Sequence, residues 1–233
     1  MATLYLLPCA IAEGSELSVL PAQVIAIAQR LTYFLAENAK SARAFLKAIG
    51  HPQPLRELQI IEIGHAPPAA DIPAWLEPLI AGLDGALVSE AGCPAVADPG
   101  AEIVAAAHQR GLRVQPLVGP SSLLLALMAS GLNGQQFRFH GYLPVPAGDR
   151  TRRLVALERD SRAGGTQLFI ETPYRSPAMF DAIMTSCAPA TRLSIAIDLT
   201  GPSEFVQTRT IAEWKRTHRP PVERRPTVFL LLA

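Results

Sequence analysis

Three cysteines in 233 residues, Cys9, Cys93 and Cys187, are odd in number and far apart, which argues against a disulfide framework and a thiolate zinc site. No apolar run reaches the roughly 20 residues that a membrane helix needs, and the densest patch, Leu123 to Leu127, is far shorter. The opening Met1-Ala-Thr-Leu-Tyr-Leu-Leu-Pro8 has neither a basic segment nor a cleavage pattern, so it reads as a first strand and not as a signal peptide. No membrane association is expected, and a cytoplasmic location is. Nucleotide signatures are missing too. No G-x-G-x-x-G follows the first strand and no G-x-x-x-x-G-K-[ST] occurs, which argues against a dinucleotide fold and a phosphate-loop hydrolase. Gly141 to Leu143 supplies no G-x-S-x-G nucleophile elbow. The five histidines, at 51, 65, 108, 140 and 218, lack metal-ligand spacing, so no metal is expected and each reads as a loop or surface residue.

What is present is apolar mass. Hydrophobic residues make up 49% of the chain and charged ones 18%, enough core for one large domain or two of about 100–150 residues each. The net charge of +1 conceals an asymmetry: through residue 141 eight Lys/Arg stand against eleven Asp/Glu, and after it thirteen stand against nine. Arginines gather at Arg150, Arg152 and Arg153 and again at Arg219, Arg224 and Arg225. Such clusters permit a polyanionic partner and are equally compatible with a solvated surface.

Periodicity orders the elements. Thr3–Leu7, Thr32–Ala36, Leu58–Ile63, Ala86–Val88 and Arg113–Val118 read as short strands. Helical spacing over 21–30, 39–49, 71–83 and 101–108 separates them, with Asp71 and Gly50 as start and stop signals. Strand alternating with helix in this way predicts a doubly wound parallel sheet. After the helix Leu123–Ser130 the pattern changes. Strands at 136–143, 166–170, 193–199, 205–210 and 226–232 include two neighbours joined by Thr200-Gly-Pro-Ser203, which predicts a mixed sheet. The expectation is therefore two α/β domains, 1–117 with a doubly wound parallel sheet and 118–233 with a mixed one.

The chain is organised around Ala86-Leu-Val-Ser-Glu-Ala-Gly-Cys-Pro-Ala-Val-Ala-Asp-Pro-Gly100, a strand that opens into a small-residue loop before a helix. Open α/β sheets bind ligands at such carboxyl ends. Gly92 and Gly100 would let a ligand approach the main chain, and Asp98 is expected to cap the following helix. A ligand-free turn is the plain alternative. Cys93 is the one cysteine placed where a nucleophile would be useful.

Taken in order, these motifs resemble the tetrapyrrole methylase superfamily of S-adenosylmethionine-dependent methyltransferases, in particular the ribosomal RNA small subunit methyltransferase I branch. The resemblance rests on Thr3-Leu-Tyr-Leu-Leu-Pro8, Leu87-Val-Ser-Glu-Ala-Gly-Cys-Pro94 with Asp98-Pro-Gly100, and Pro116-Leu-Val-Gly-Pro-Ser-Ser122. It continues through Leu168-Phe-Ile-Glu171, Tyr174-Arg175, Asp198-Leu-Thr200 and Pro226-Thr227. It implies a tetrapyrrole methylase-like fold, a homodimer, and S-adenosylmethionine held between the two domains. It places Pro8, Ala91, Gly92, Cys93, Val96, Ser121 and Ser122 on the donor, with Glu171, Pro226, Thr227 and Val228 around the adenine.

The resemblance also exposes departures. Where the RNA-methylating relatives carry an acidic-Asp-Thr-Arg motif, this chain has Glu37-Asn38-Ala39-Lys40, and lysine is no bidentate substitute for arginine. Glu37 is the candidate catalytic base for a ribose 2′-hydroxyl, with Lys40 or Arg43 meeting phosphate; alternatively Glu37 caps the helix after it. His65 is a second cleft residue or a loop histidine, and Arg175 serves RNA or pairs with an acid. Two rival functions stay open. One is methylation of a tetrapyrrole or other small metabolite, suited by Ala66–Ala70, Ile72 and Trp75. The other is a catalytically inactive S-adenosylmethionine-binding protein.

Overall fold

Side-chain alternation builds the first sheet. In the computed structural model, which describes residues 2–233, the chain forms two compact units that divide between Ser121 and Ser122. The first runs β1 (Thr3–Leu7), α1 (Glu16–Val19), α2 (Ala22–Arg30), β2 (Tyr33–Ala36), α3 (Ala39–Ala48), β3 (Gln59–Glu62), α4 (Ile72–Ile80), β4 (Gly85–Val88), α5 (Ala101–Gln109) and β5 (Arg113–Pro116). The sheet order is β3-β2-β4-β1-β5 and every ladder is parallel. Tyr5, Leu7, Phe34, Ala86 and Val88 enter one buried cluster, while Leu4, Tyr33, Leu35 and Leu87 enter another. Period-two alternation thus gives β1, β2 and β4 two apolar faces, as a sheet covered by helices on both sides requires. The edge strands β3 and β5 are partly exposed.

Two helix starts differ from expectation. Asp98 does not cap α5: the N-cap is Gly100, at φ +125°, and no side chain bonds the free amides there. A Cβ on Gly100 would lie 2.6 Å from Leu87, so the chain turns into α5 by close packing and glycine geometry. Asp71 occupies the N-cap of α4 but makes no capping bond.

The second unit runs α6 (Ser122–Ser130), β6 (Phe137–Tyr142), α7 (Ala147–Ser161), β7 (Thr166–Glu171), α8 (Ser176–Ser186), β8 (Arg192–Ile197), β9 (Phe205–Thr210), α9 (Ile211–Trp214) and β10 (Thr227–Leu232). Its sheet order is β6-β7-β10-β8-β9, with β6 and β7 parallel and the other neighbours antiparallel. The last strand is wholly buried in the middle of the sheet. Val228 and Leu230 pack with α6, and Phe229 and Leu231 enter the cluster on the other face, where Phe229 stacks on Phe169 at 5.6 Å. His140 is not a loop residue: it lies half-buried in β6 between Gln167 and Arg153.

Candidate functional site: the carboxyl edge of the first sheet

The connection leaving β2 runs to β3 at one edge of the sheet, and the one leaving β4 runs to β5 at the other. Connections that diverge in this way open a crevice outside the carboxyl ends of the strands. The loop after β4 lies there. Its start is pinned, because Cys9 N–H donates to Gly92 C=O at 2.9 Å and Gly92 N–H donates back to Cys9 C=O at 3.1 Å. Ser89 Oγ donates to the same Gly92 carbonyl at 3.2 Å. A neighbouring turn closes on it: a Cβ on Gly119 would sit 2.3 Å from the Pro8 ring, so only glycine fits there. Pro8, Gly92, Gly119 and Pro120 therefore converge.

Further along, Ala95 and Ala97 both hold positive φ, 64° and 59°, and flank Val96, which is 51% exposed. Each such alanine costs roughly 1–3 kcal/mol, strain of the kind that collects at ligand sites. Cys93 donates its thiol to Pro120 C=O at 3.5 Å, and burial pushes its pKa up. The thiol, not the thiolate, is thus favoured, which removes the basis for a nucleophilic role.

Three acidic or basic side chains from different strand ends meet beside this loop. Glu37 follows β2 and is 8% exposed; its Oε1 lies 2.5 Å from Nδ1 of His65, which follows β3. Glu37 does not cap α3. Asn38 does so, accepting from the Lys40 and Ser41 amides at 2.9 and 3.1 Å, while Glu62 accepts from Ala39 N–H at 2.9 Å. Asp98 is the third group. Burial first, then the closeness and charge of Glu37 and the charge of Glu90, raise its pKa to about 8. Asp98 is thus biased towards its protonated form, and its buried Oδ2 has no hydrogen-bond partner among the described residues. A carboxylate only accepts, so the His65 proton sits on Nδ1 and leaves Nε2 free as an acceptor. His65 and Asp98 line a cavity of about 330 Å³ with Pro67, Pro99 and Gly100. Lys40 is exposed in the first turn of α3 and makes no ion pair among the described residues. Ile72 and Trp75, read above as suited to a flat metabolite, pack into the core against α5 instead. Sequence reading missed Asp98 in this cluster. Its only local signal was that Gly100, not Asp98, directly precedes the helix.

In the second unit Ser122 opens α6, and Glu171 ends β7 beside Thr227, the two being ladder partners. Glu171 is buried, accepts from Thr172 N–H at 2.8 Å and faces Arg175 Nη2 at 2.7 Å. Arg175 therefore pairs with an acid. Pro226 is exposed, and its carbonyl accepts from Asp198 N–H at 3.1 Å. Thr227 and Val228 are buried in the ladder. Ser121, the last residue of the first unit, is half-buried. Among the described residues no group of three His, Cys, Asp or Glu side chains is arranged to hold a metal, and no helix is long and apolar enough to cross a membrane.

The fold is tetrapyrrole methylase-like, two α/β units with a parallel and a mixed five-stranded sheet. The architecture matches that of cobalt precorrin-4 methyltransferase, with a TM-score of 0.63, 13% identity, and coverage of 99% of this chain and 94% of that one. No family model matches. Sequence relatives are more specific. The ribosomal RNA small subunit methyltransferase I of Neisseria meningitidis serogroup B is 31% identical over 211 residues, covering 91% of this chain and 68% of that protein. The Mesorhizobium japonicum enzyme of the same name is 40% identical over 137 residues, 57% of this chain and 46% of the relative. The chain belongs to the ribosomal RNA small subunit methyltransferase I family. Alignments with some of these relatives span about half of their length.

The residues present suit S-adenosylmethionine. From Ala91 to Ala97 no side chain is larger than valine, and the main chain is held in glycine-like geometry at three positions. A zwitterionic amino-acid tail is best met by such bare backbone dipoles, and a neutral adenine by small apolar walls.

Proposed function

We propose that this protein transfers a methyl group from S-adenosylmethionine to RNA, with a ribose 2′-hydroxyl of ribosomal RNA as acceptor. One observation carries the reading: a buried carboxylate, Glu37, oriented against His65 Nδ1 at the carboxyl edge of the sheet beside the strained loop. A hydroxyl acceptor must lose a proton as it is methylated, and this pair is built to take one.

When bound, S-adenosylmethionine supplies a methyl group already activated by its sulfonium charge. Pro8 and the backbone of Ala91, Gly92, Cys93 and Val96 would hold it from the first unit together with Ser121. By the family resemblance, Ser122, Glu171 and the Pro226-Thr227-Val228 segment are assigned to the donor as well. Their task is to fix the donor so that the acceptor approaches in line. His65 Nε2 removes the hydroxyl proton, and Glu37 fixes the ring and stabilises the imidazolium that forms. Lys40, free of ion pairs, meets a phosphate next to the acceptor ribose. The reading carries with it a homodimer working in the cytoplasm.

Calorimetric titration with S-adenosylmethionine and S-adenosylhomocysteine tests the donor site, using wild type and Ser121→Tyr. Binding that the variant loses supports it, and no binding by the wild type overturns the reading. Incubation of small-subunit ribosomal RNA with labelled donor tests the acceptor. Label retained at an alkali-resistant phosphodiester marks a ribose 2′-O-methyl group; label elsewhere, or only on small molecules, overturns the acceptor assignment.

A further inference from the structure

The second unit carries a groove of about 620 Å³ along its edge strand β9, where Gln207 and Arg209 alternate onto one face opposite the segment that follows α9. Its wall holds Arg209, Lys215, Arg216, His218 and Arg219 and no carboxylate. These cations are not equally engaged. Arg219 is bridged to Asp181 and Glu223 and lies over the Phe180 ring. Arg209, Lys215 and Arg216 make no ion pair among the described residues.

Arg209 is also positioned. Its guanidinium lies 5.3 Å from the centre of the Trp214 ring, and Trp214 is buried and fastened by Nε1–H to the Leu193 carbonyl at 2.9 Å. A guanidinium placed over a fixed indole is favoured in that position and keeps its donors for a planar oxyanion. The nearest acid, Glu213, is occupied by the Thr210 amide and hydroxyl in a capping box. A wide, open, acid-free groove with several unpaired cations matches repeated phosphates along a strand better than a single small anion.

We infer that this groove binds the phosphodiester backbone of the RNA substrate, positioning the strand without reading its bases. The inference rests on RNA being the acceptor. Contacts of this kind set register and orientation and carry a salt-dependent share of affinity.

The test is fluorescence anisotropy of a labelled single-stranded fragment of small-subunit ribosomal RNA, titrated with protein over a salt series. Wild type is compared with Arg209→Ala/Lys215→Ala/Arg216→Ala and with Lys215→Glu/Arg216→Glu, which leaves the stacked arginine in place. Both variants are expected to bind RNA at least about tenfold more weakly. The salt slope of the triple variant should fall by about 2, at roughly 0.7 for each single-strand phosphate that is no longer neutralised. Calorimetric binding of S-adenosylmethionine should be unchanged, which shows that the fold survives. Wild-type binding with both variants equal to it in affinity and slope overturns the groove and leaves the RNA acceptor standing. Failure of the wild type itself to bind RNA overturns both. Loss of binding to phosphatidylserine vesicles in the variants, with RNA binding retained, assigns the groove to a membrane surface and overturns the inference.

Discussion

Each unit covers both faces of a five-stranded sheet, but the strands of the first all run one way and those of the second do not. Parallel order sends every carboxyl end to the same edge. Glu37, His65 and Asp98 follow three different strands and still meet, because β2, β3 and β4 are neighbours in one register. In the second unit the antiparallel ladders spread the loops over both edges. Its buried acids are spent, Glu158 on the Ala188 amide and the Thr191 hydroxyl and Glu171 on a backbone amide and Arg175, and its unpaired cations lie along the edge strand. The first sheet thus concentrates titratable groups in one place, whereas the second offers walls and charge.

The sharpest way to break this contrast is to remove the group that the parallel edge brings together. His65→Gln should lower methyl transfer about 10²–10⁴-fold, the usual contribution of a general base, while donor binding by calorimetry stays as in wild type. An equal loss of donor binding would mean that His65 belongs to the donor pocket and not to proton removal. Gly119→Ala attacks the loop packing through its collision with Pro8. It should cost about 1–3 kcal/mol, as overpacking does, and weaken donor binding; thermal unfolding and titration read both effects.

Glu171→Gln carries the comparison to the other unit. It strips the Arg175 guanidinium of its partner and should destabilise by about 1–3 kcal/mol, measured by denaturant unfolding. Turnover should fall less than in His65→Gln.

The subtlest variant is Asp98→Asn. In the folded chain Asp98 keeps its proton up to about pH 8, whereas unfolded it loses it near its ordinary value of 3.8. Between those values the native state binds the extra proton, so this group's contribution to stability falls as pH rises from about 4 to 8. Asparagine is nearly isosteric and cannot ionise. Its melting temperature should match wild type near pH 4 and exceed it by a margin that grows as pH rises to 8. Activity of the variant should also persist further into the alkaline range. A constant offset at every pH would show that Asp98 does not titrate there.

Much of this fold was legible in local pattern. Short apolar runs gave β1, β2 and β4, and helical spacing with Gly50 and Pro52 gave α3 and its end. The small-residue loop from Ser89 to Gly100 also stood out as bare main chain after a buried strand, although a ligand-free turn read equally well. The partners of Glu37 were not legible. His65 lies 28 positions away in the chain, and Asp98 had a credible local use as a helix cap that the glycine turn at Gly100 supersedes. Ile72 and Trp75 were likewise misread: following an apolar Pro/Ala loop they suggested a ligand wall, although they pack in the core.

By itself, then, the sequence determined the order of elements, the change from a parallel to a mixed pattern, the loop that leaves its main chain bare, and the family. Those follow from side-chain period, from glycine and proline geometry, and from ordered motifs, all of them local along the chain. Tertiary structure alone decided which acid faces which base, that Asp98 keeps a proton, that Arg175 is spent on Glu171, and that Arg209, Lys215 and Arg216 remain unpaired beside Trp214. The physical reason is distance. Charge and hydrogen bonding act over a few ångströms of space, and strand order, not chain position, sets which residues come that close.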